Sequence, residues 1–98
     1  MKKLYRYMRL KTDGTSEVLA VSPSELDHDA LREMLGGDLE LVPPDYYAGK
    51  GWGRCHCYAD NDGRHKGLSR NQHFHVLQEP IWDIPGDVIR VDRTEVKL

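Results

Sequence analysis

The sequence predicts an α+β domain: a mainly antiparallel sheet of about five or six strands with one main helix, over about residues 23–35, packed on it. Three observations carry that expectation. Short runs rich in β-branched and aromatic residues are separated by turn clusters such as Thr12-Asp13-Gly14 and Asp60-Asn61-Asp62-Gly63. One apolar stripe at helical spacing follows a helix-start signal. The 98 residues supply a single core, since a chain of this size buries only roughly 60–65% of its unfolded surface, so residues 1–98 are expected to form one domain.

Residues 4–11 alternate in their second half, Met8 and Leu10 against Arg9 and Lys11, as a half-buried strand does. Thr12-Asp13-Gly14 turns the chain into a second strand over Glu17–Val21, making an opening hairpin. Ser22, Pro23 and Glu25 then form a capping box with proline at the first helical position. Leu26, Ala30, Leu31, Met34 and Leu35 are the apolar face of the helix, and Gly36-Gly37 ends it. Leu39 and Leu41 alternate with Asp38 and Glu40 in a third strand that Pro43-Pro44 terminates. Residues 43–53 form a long loop, Arg54–Ala59 a fourth strand, Asp60–Gly63 a hairpin turn, and Arg64–Leu68 a fifth strand. Phe74 and Leu77 favour a short second helix over about 71–78, with a strand as the alternative, and Val88, Ile89 and Val91 mark a last strand.

Composition narrows the function classes. With 39% hydrophobic and 31% charged residues the chain is in the ordinary globular range. No apolar run approaches the roughly 18 residues of a membrane span, which predicts a cytoplasmic protein with no membrane partner. A net charge of −2 argues against general nucleic-acid binding. The charge is segregated: residues 1–11 carry five basic side chains and no acid, residues 23–47 seven acids against Arg32 alone, and residues 50–70 five basic side chains against Asp60 and Asp62. The two cysteines, Cys55 and Cys57, stand too close in sequence to staple a loop, which points to a reducing compartment.

Among residues that carry chemistry, Cys55 and Cys57 with His73 and His75 are the one set suggesting a metal, because two cysteines and two histidines on paired strands make a tetrahedral zinc site. The spacing is not a zinc pattern, since paired cysteine ligands ordinarily stand two to four residues apart around a turn. The competing reading puts Cys57 in the core and the histidines on the surface. Asp60-Asn61-Asp62-Gly63 resembles the start of a calcium loop but lacks the later glutamate, and Gly49-Lys50-Gly51-Trp52-Gly53 lacks the Ser or Thr of a phosphate loop. No nucleophile-elbow pattern and no cofactor motif is present, so a non-enzymatic protein without a cofactor is expected. The positive reading is a binding surface from Tyr46, Tyr47, Lys50, Trp52 and Arg54, joined by Arg64, Lys66, Arg70 and Asn71. Aromatic faces stack on bases while Arg and Lys neutralise phosphates, which suits a nucleotide-like small ligand. Its competitor is a loop whose Trp52 simply packs on the core.

Tyr58-Ala59-Asp60-Asn61-Asp62-Gly63, then Lys66-Gly67-Leu68 and Asn71, and finally Pro85-Gly86-Asp87-Val88-Ile89-Arg90-Val91 resemble the family called domain of unknown function 3846. Leu35-Gly36-Gly37-Asp38-Leu39-Glu40-Leu41-Val42 is similar to that family's helix-to-strand junction, so the resemblance spans residues 18–92. The Tyr46-Tyr47 loop and Cys55-His56-Cys57 depart from it. The resemblance implies an accessory protein of a phage, plasmid or actinobacterial mobile element, and it brings no catalytic residues. Three functions are consistent with these readings. One is a non-enzymatic protein that blocks host defence by sequestering a nucleotide-derived signal. Another is an inhibitor of a host defence protein, such as a nuclease complex, through the acidic surface of residues 23–47. A zinc module or metal-dependent enzyme is the third, and self-association into a homo-oligomer is open in each.

Overall fold

A computed structural model describes residues 2–63, 65–74 and 84–96. The regular elements are β1 (Lys2–Leu10), β2 (Ser16–Ser22), α1 (His28–Leu35), β3 (Leu39–Leu41), β4 (Cys55–Asp60) and β5 (Val88–Val96). Among the described residues the five strands form one antiparallel sheet in the order β2-β1-β5-β4-β3, with α1 on one face, so the chain is α+β. No described helix is long and apolar enough to cross a membrane.

The last strand is the centre of the sheet. β5 pairs along its length with β1, from Lys2↔Val96 to Leu10↔Val88, and on its other edge with β4, from Cys55↔Asp92 to Ala59↔Val88. Its beginning explains the position, because Val88 and Ile89, apolar on successive faces, belong where both faces are covered. Val88 joins Leu10, Val42, Tyr47, Cys57, Ala59, Phe74 and Ile84 on one side, while Ile89 and Val91 join Tyr7 and Leu31 on the other. The helix covers the second side, and the loop after β3 covers the first. Arg9 pins the helix end to the sheet, donating to the Met34 carbonyl and to Asp87 at 3.1 Å, so a C-terminal carbonyl of α1 gains a charged partner.

Three expectations about elements are corrected. The helix does not begin at residue 23. Ser22 is the last residue of β2, paired with Tyr5, and Leu26 N–H donates to the Tyr7 hydroxyl at 2.7 Å, which keeps residues 23–26 off a helical path. Asp27 is the cap, extended at φ −73° and ψ 169°, and its carboxylate accepts from Ala30 N–H at 2.9 Å. The C-terminus falls where the glycines place it, with Gly36 left-handed at φ 84° and its N–H on the Arg32 carbonyl at 2.8 Å.

The Asp60–Gly63 turn exists, but it is not a β-hairpin, and residues 65–68 of the expected fifth strand are turns and coil. Both edges of β4 are already taken, by β3 and by β5, so no vacancy remains for a returning strand. The turn is closed locally instead. The Asp60 carboxylate accepts from Asp62 N–H at 2.8 Å, Gly63 N–H donates to the Asp60 carbonyl at 3.1 Å, and Lys66 N–H to the Asp62 carbonyl at 3.0 Å. Gly63 is favoured here by close approach, since a Cβ would stand 3.0 Å from the Pro85 ring and carbonyl. The expected helix over 71–78 is a single 3₁₀ turn, Gln72–Phe74, as far as the described residues run; 75–83 lie outside them.

Candidate functional site

A concave feature lies where β3 stops short of the full length of β4. Val42 N–H makes one last bond, to the Cys57 carbonyl at 2.8 Å, after which Pro43 and Pro44 withdraw backbone donors and turn the chain away. Two 3₁₀ turns, Pro44–Tyr46 and Ala48–Lys50, carry the loop across the sheet and bury Tyr47, which is 7% exposed, between them. The start of β4 is thereby left beside an open groove of about 540 Å³. Among the described residues, Pro44, Tyr47 and Trp52 form its apolar wall, Arg54, His56 and Arg93 its basic side, and Gly51, Gly53 and Cys55 the rest of the lining, with no carboxylate.

Register sets the basic side. Cys55 pairs with Asp92, so Arg54 lies opposite Arg93, whose N–H donates to the Arg54 carbonyl at 3.3 Å. Strand alternation puts Arg54 and His56 on one face of β4 and Cys55 on the other. Both arginines are exposed, and neither guanidinium has a carboxylate partner among the described residues. Like charges set directly opposite across strands repel, which a purely structural pair would avoid. The nearby Asp92 cannot offset them. It points to the opposite face, buried, and is already held by Arg6 at 3.0 Å and Arg90 at 2.7 Å.

Trp52 is contacted on several sides. The Arg90 guanidinium sits 4.5 Å from its ring centre and donates to its carbonyl at 3.4 Å. Tyr47 lies nearly parallel to it with centroids 5.8 Å apart, Phe74 meets it edge-on at the same separation, and Lys50 Nζ is 5.5 Å from its centre. The competing expectation for Trp52, packing against the core, therefore describes its ring, while its rim lines the groove.

The binding surface expected from sequence is divided. Tyr47, Trp52 and Arg54 come together, with Lys50 at their margin. Tyr46 faces a different groove, of about 440 Å³, beside Glu40, Asn61 and His65. Lys66 is committed to Asp60 at 2.6 Å, Arg70 bridges Pro85 through its backbone, and Arg64 lies outside the described residues. Asn71 is fully buried and satisfied, donating to the carbonyls of Leu10 and Gly86 at 2.9 Å each and accepting from His73 N–H at 3.0 Å. It holds the fold together and cannot meet a ligand. Sequence reasoning missed His56 and Arg93, and Arg93 becomes visible only through the β4–β5 register.

The proposed zinc residues do not converge among those described. Cys55 and Cys57 share a face of β4, but Cys57 is completely buried, and burial pushes both thiols up, away from the thiolate form a metal needs. His73 donates from Nε2 to the Thr15 carbonyl at 2.9 Å, and His75 lies outside the described residues. Among the described residues no three His, Cys, Asp or Glu side chains gather as a metal site. On the acidic surface, Asp27 caps α1 and Asp29 pairs with Arg32 at 2.8 Å, while Glu25 and Glu33 are exposed. His28 meets Tyr58 edge-on at 5.8 Å.

Residues 60–63, 66–71 and 85–86 meet at one corner of the fold. Asp60 holds Lys66, Gly63 admits Pro85, Leu68 N–H donates to the Gly63 carbonyl at 3.1 Å, Gly86 N–H to the Ser69 carbonyl at 2.7 Å, and Asn71 ties the corner to β1. These contacts brace the chain segments entering and leaving the central strand. Comparison with family models, curated proteins and solved structures finds no match to this chain.

Proposed function

We propose that this chain is a non-enzymatic binding protein that holds a small nucleotide-derived ligand in the groove at the start of β4. One observation carries the reading: Arg54, just before β4, and Arg93 of β5 stand opposite each other and face a groove whose lining contains no acid among the described residues. An anion between them relieves their repulsion and accepts charge-assisted hydrogen bonds from both guanidinium forks. A volume of about 540 Å³ is within the size range of small-ligand sites and suits a compound of nucleotide size. The resemblance to domain of unknown function 3846 supports a setting in a phage or mobile element, where sequestering a host defence signal in the cytoplasm requires affinity and no reacting group.

Calorimetric titration with a panel of cyclic dinucleotides and ADP-ribose derivatives tests this. At least one class is expected to bind with 1:1 stoichiometry, and reversing both charges, Arg54→Glu with Arg93→Glu, is expected to weaken it more than about tenfold, or about 1.4 kcal/mol. No heat from any member of the panel with the unaltered protein would remove the reading.

A further inference from the structure

We infer that the groove recognises the phosphate of its ligand and is indifferent to the base, so that its ligand class is the phosphate or pyrophosphate ester as such. This inference rests on the reading of the groove as a ligand site.

Three features of the lining lead there. Cationic recognition is fully supplied, because Arg54 and Arg93 are exposed, opposed and without carboxylate partners among the described residues, and His56 adds a third nitrogen-bearing side chain on the same face as Arg54. Stacking is not supplied in the same way. A base needs an open aromatic face, but the Trp52 ring is already occupied by Arg90 at 4.5 Å, Tyr47 and Phe74 at 5.8 Å and Lys50 at 5.5 Å. Tyr47 is itself buried, and its hydroxyl donates to the Cys55 carbonyl at 3.4 Å.

Readout of the base edge is the third requirement. Discriminating adenine from cytosine takes donors and acceptors in fixed pairs, ordinarily the amides of Asn and Gln or the carboxylates of Asp and Glu. Among the described residues the lining contains none of these and no Ser or Thr. The apolar rim of Trp52 and Pro44 gives any ring or sugar a surface to lie against without reading its edge. Selectivity then resides in charge, and the base contributes nonspecific contact.

The test is calorimetry with ADP, CDP, adenosine and inorganic pyrophosphate. ADP and CDP are expected to bind within about threefold of each other, pyrophosphate to displace both, and adenosine to give no heat. Arg54→Ala and Arg93→Ala should each weaken ADP and CDP equally, by about tenfold, with unfolding midpoints unchanged because both side chains are exposed. Adenosine binding as tightly as ADP would overturn the inference while leaving the groove a ligand site. So would a preference between ADP and CDP larger than threefold, or a cyclic dinucleotide that pyrophosphate fails to displace. If neither the nucleotides nor pyrophosphate bind, and the defence-signal panel is also silent, the site reading falls with it.

Discussion

Asp60 shows how much of this fold hangs on single polar groups. Its side chain is 6% exposed, lies against Gly37, and accepts hydrogen bonds from Asp62 N–H at 2.8 Å and Lys66 Nζ at 2.6 Å. Burial by itself raises a carboxyl's pKa, but the Lys66 ammonium and the Asp62 amide outweigh it and hold Asp60 below the usual carboxylate range. A group depressed in the folded state contributes stability above its unfolded pKa, about 3.9, and loses it as pH falls through the lower folded value. Lys66 is raised in turn, chiefly by the hydrogen bond to Asp60, so its share is complete below the ordinary lysine value and is lost as pH rises through the folded one. Urea midpoints measured from pH 7 down to pH 2 should therefore fall at the acid end, and Asp60→Asn should flatten that limb while costing about 1–2 kcal/mol at pH 7. An identical acid limb in Asp60→Asn would show that the pair is not what titrates. The same scale explains why the candidate site was only partly legible. Lys66 and Asn71 look like surface ligand contacts in the sequence, yet their partners are set by tertiary closeness, Asn71 reaching Leu10 across 61 positions. Nothing in local composition announces that.

At the scale of elements, the helix start separates local signal from tertiary constraint. Ser22, Pro23 and Glu25 satisfy the capping-box pattern, and Asp27 three residues before Ala30 satisfies the simpler cap. Propensity cannot choose between them. The choice falls to the Tyr7 hydroxyl, which takes Leu26 N–H and carries the chain to the sheet before helical geometry begins. Asp27→Ala is accordingly expected to cost about 1 kcal/mol, while Ser22→Ala, which removes only an exposed 3.3 Å contact to Ser24 N–H, should cost a few tenths. Denaturant midpoints of the two variants decide it, and the reverse order would restore the capping box. Strands β1, β3 and the beginning of β5 were legible from their alternation or apolar runs, but the faces they bury were less so: Leu41 of β3 is 54% exposed, and Tyr7, beside the polar Arg9 in β1, is fully buried. The Asp60–Gly63 turn was legible as a turn and misread as a hairpin, since its sequence does not record that both edges of β4 are occupied.

For the whole molecule, strand order is what sequence leaves unstated and what makes the groove. Placing the C-terminal strand between β1 and β4 brings Arg93 opposite Arg54, 39 positions away, and the early end of β3 leaves the space in front of them open. A chain with net charge −2 thus presents a local basic site whose field no acid opposes among the described lining residues. Such a field is sensitive to ionic strength, because the Debye length shrinks from about 30 Å at 0.01 M to about 8 Å at 0.15 M. Pyrophosphate affinity is therefore expected to fall roughly tenfold across that range, as exposed guanidinium groups lose their reach. The fold should respond far less. The ion pairs Arg90–Asp92 at 2.7 Å and Arg6–Asp92 at 3.0 Å act at contact distance around a carboxylate that water hardly touches. Calorimetry of pyrophosphate binding at both salt concentrations, paired with urea midpoints at the same two, separates the effects. Binding that ignores salt while stability follows it would mean that the arginines serve the sheet and not a ligand, whereas salt-sensitive binding on a salt-indifferent fold ties the anion to the opposed pair.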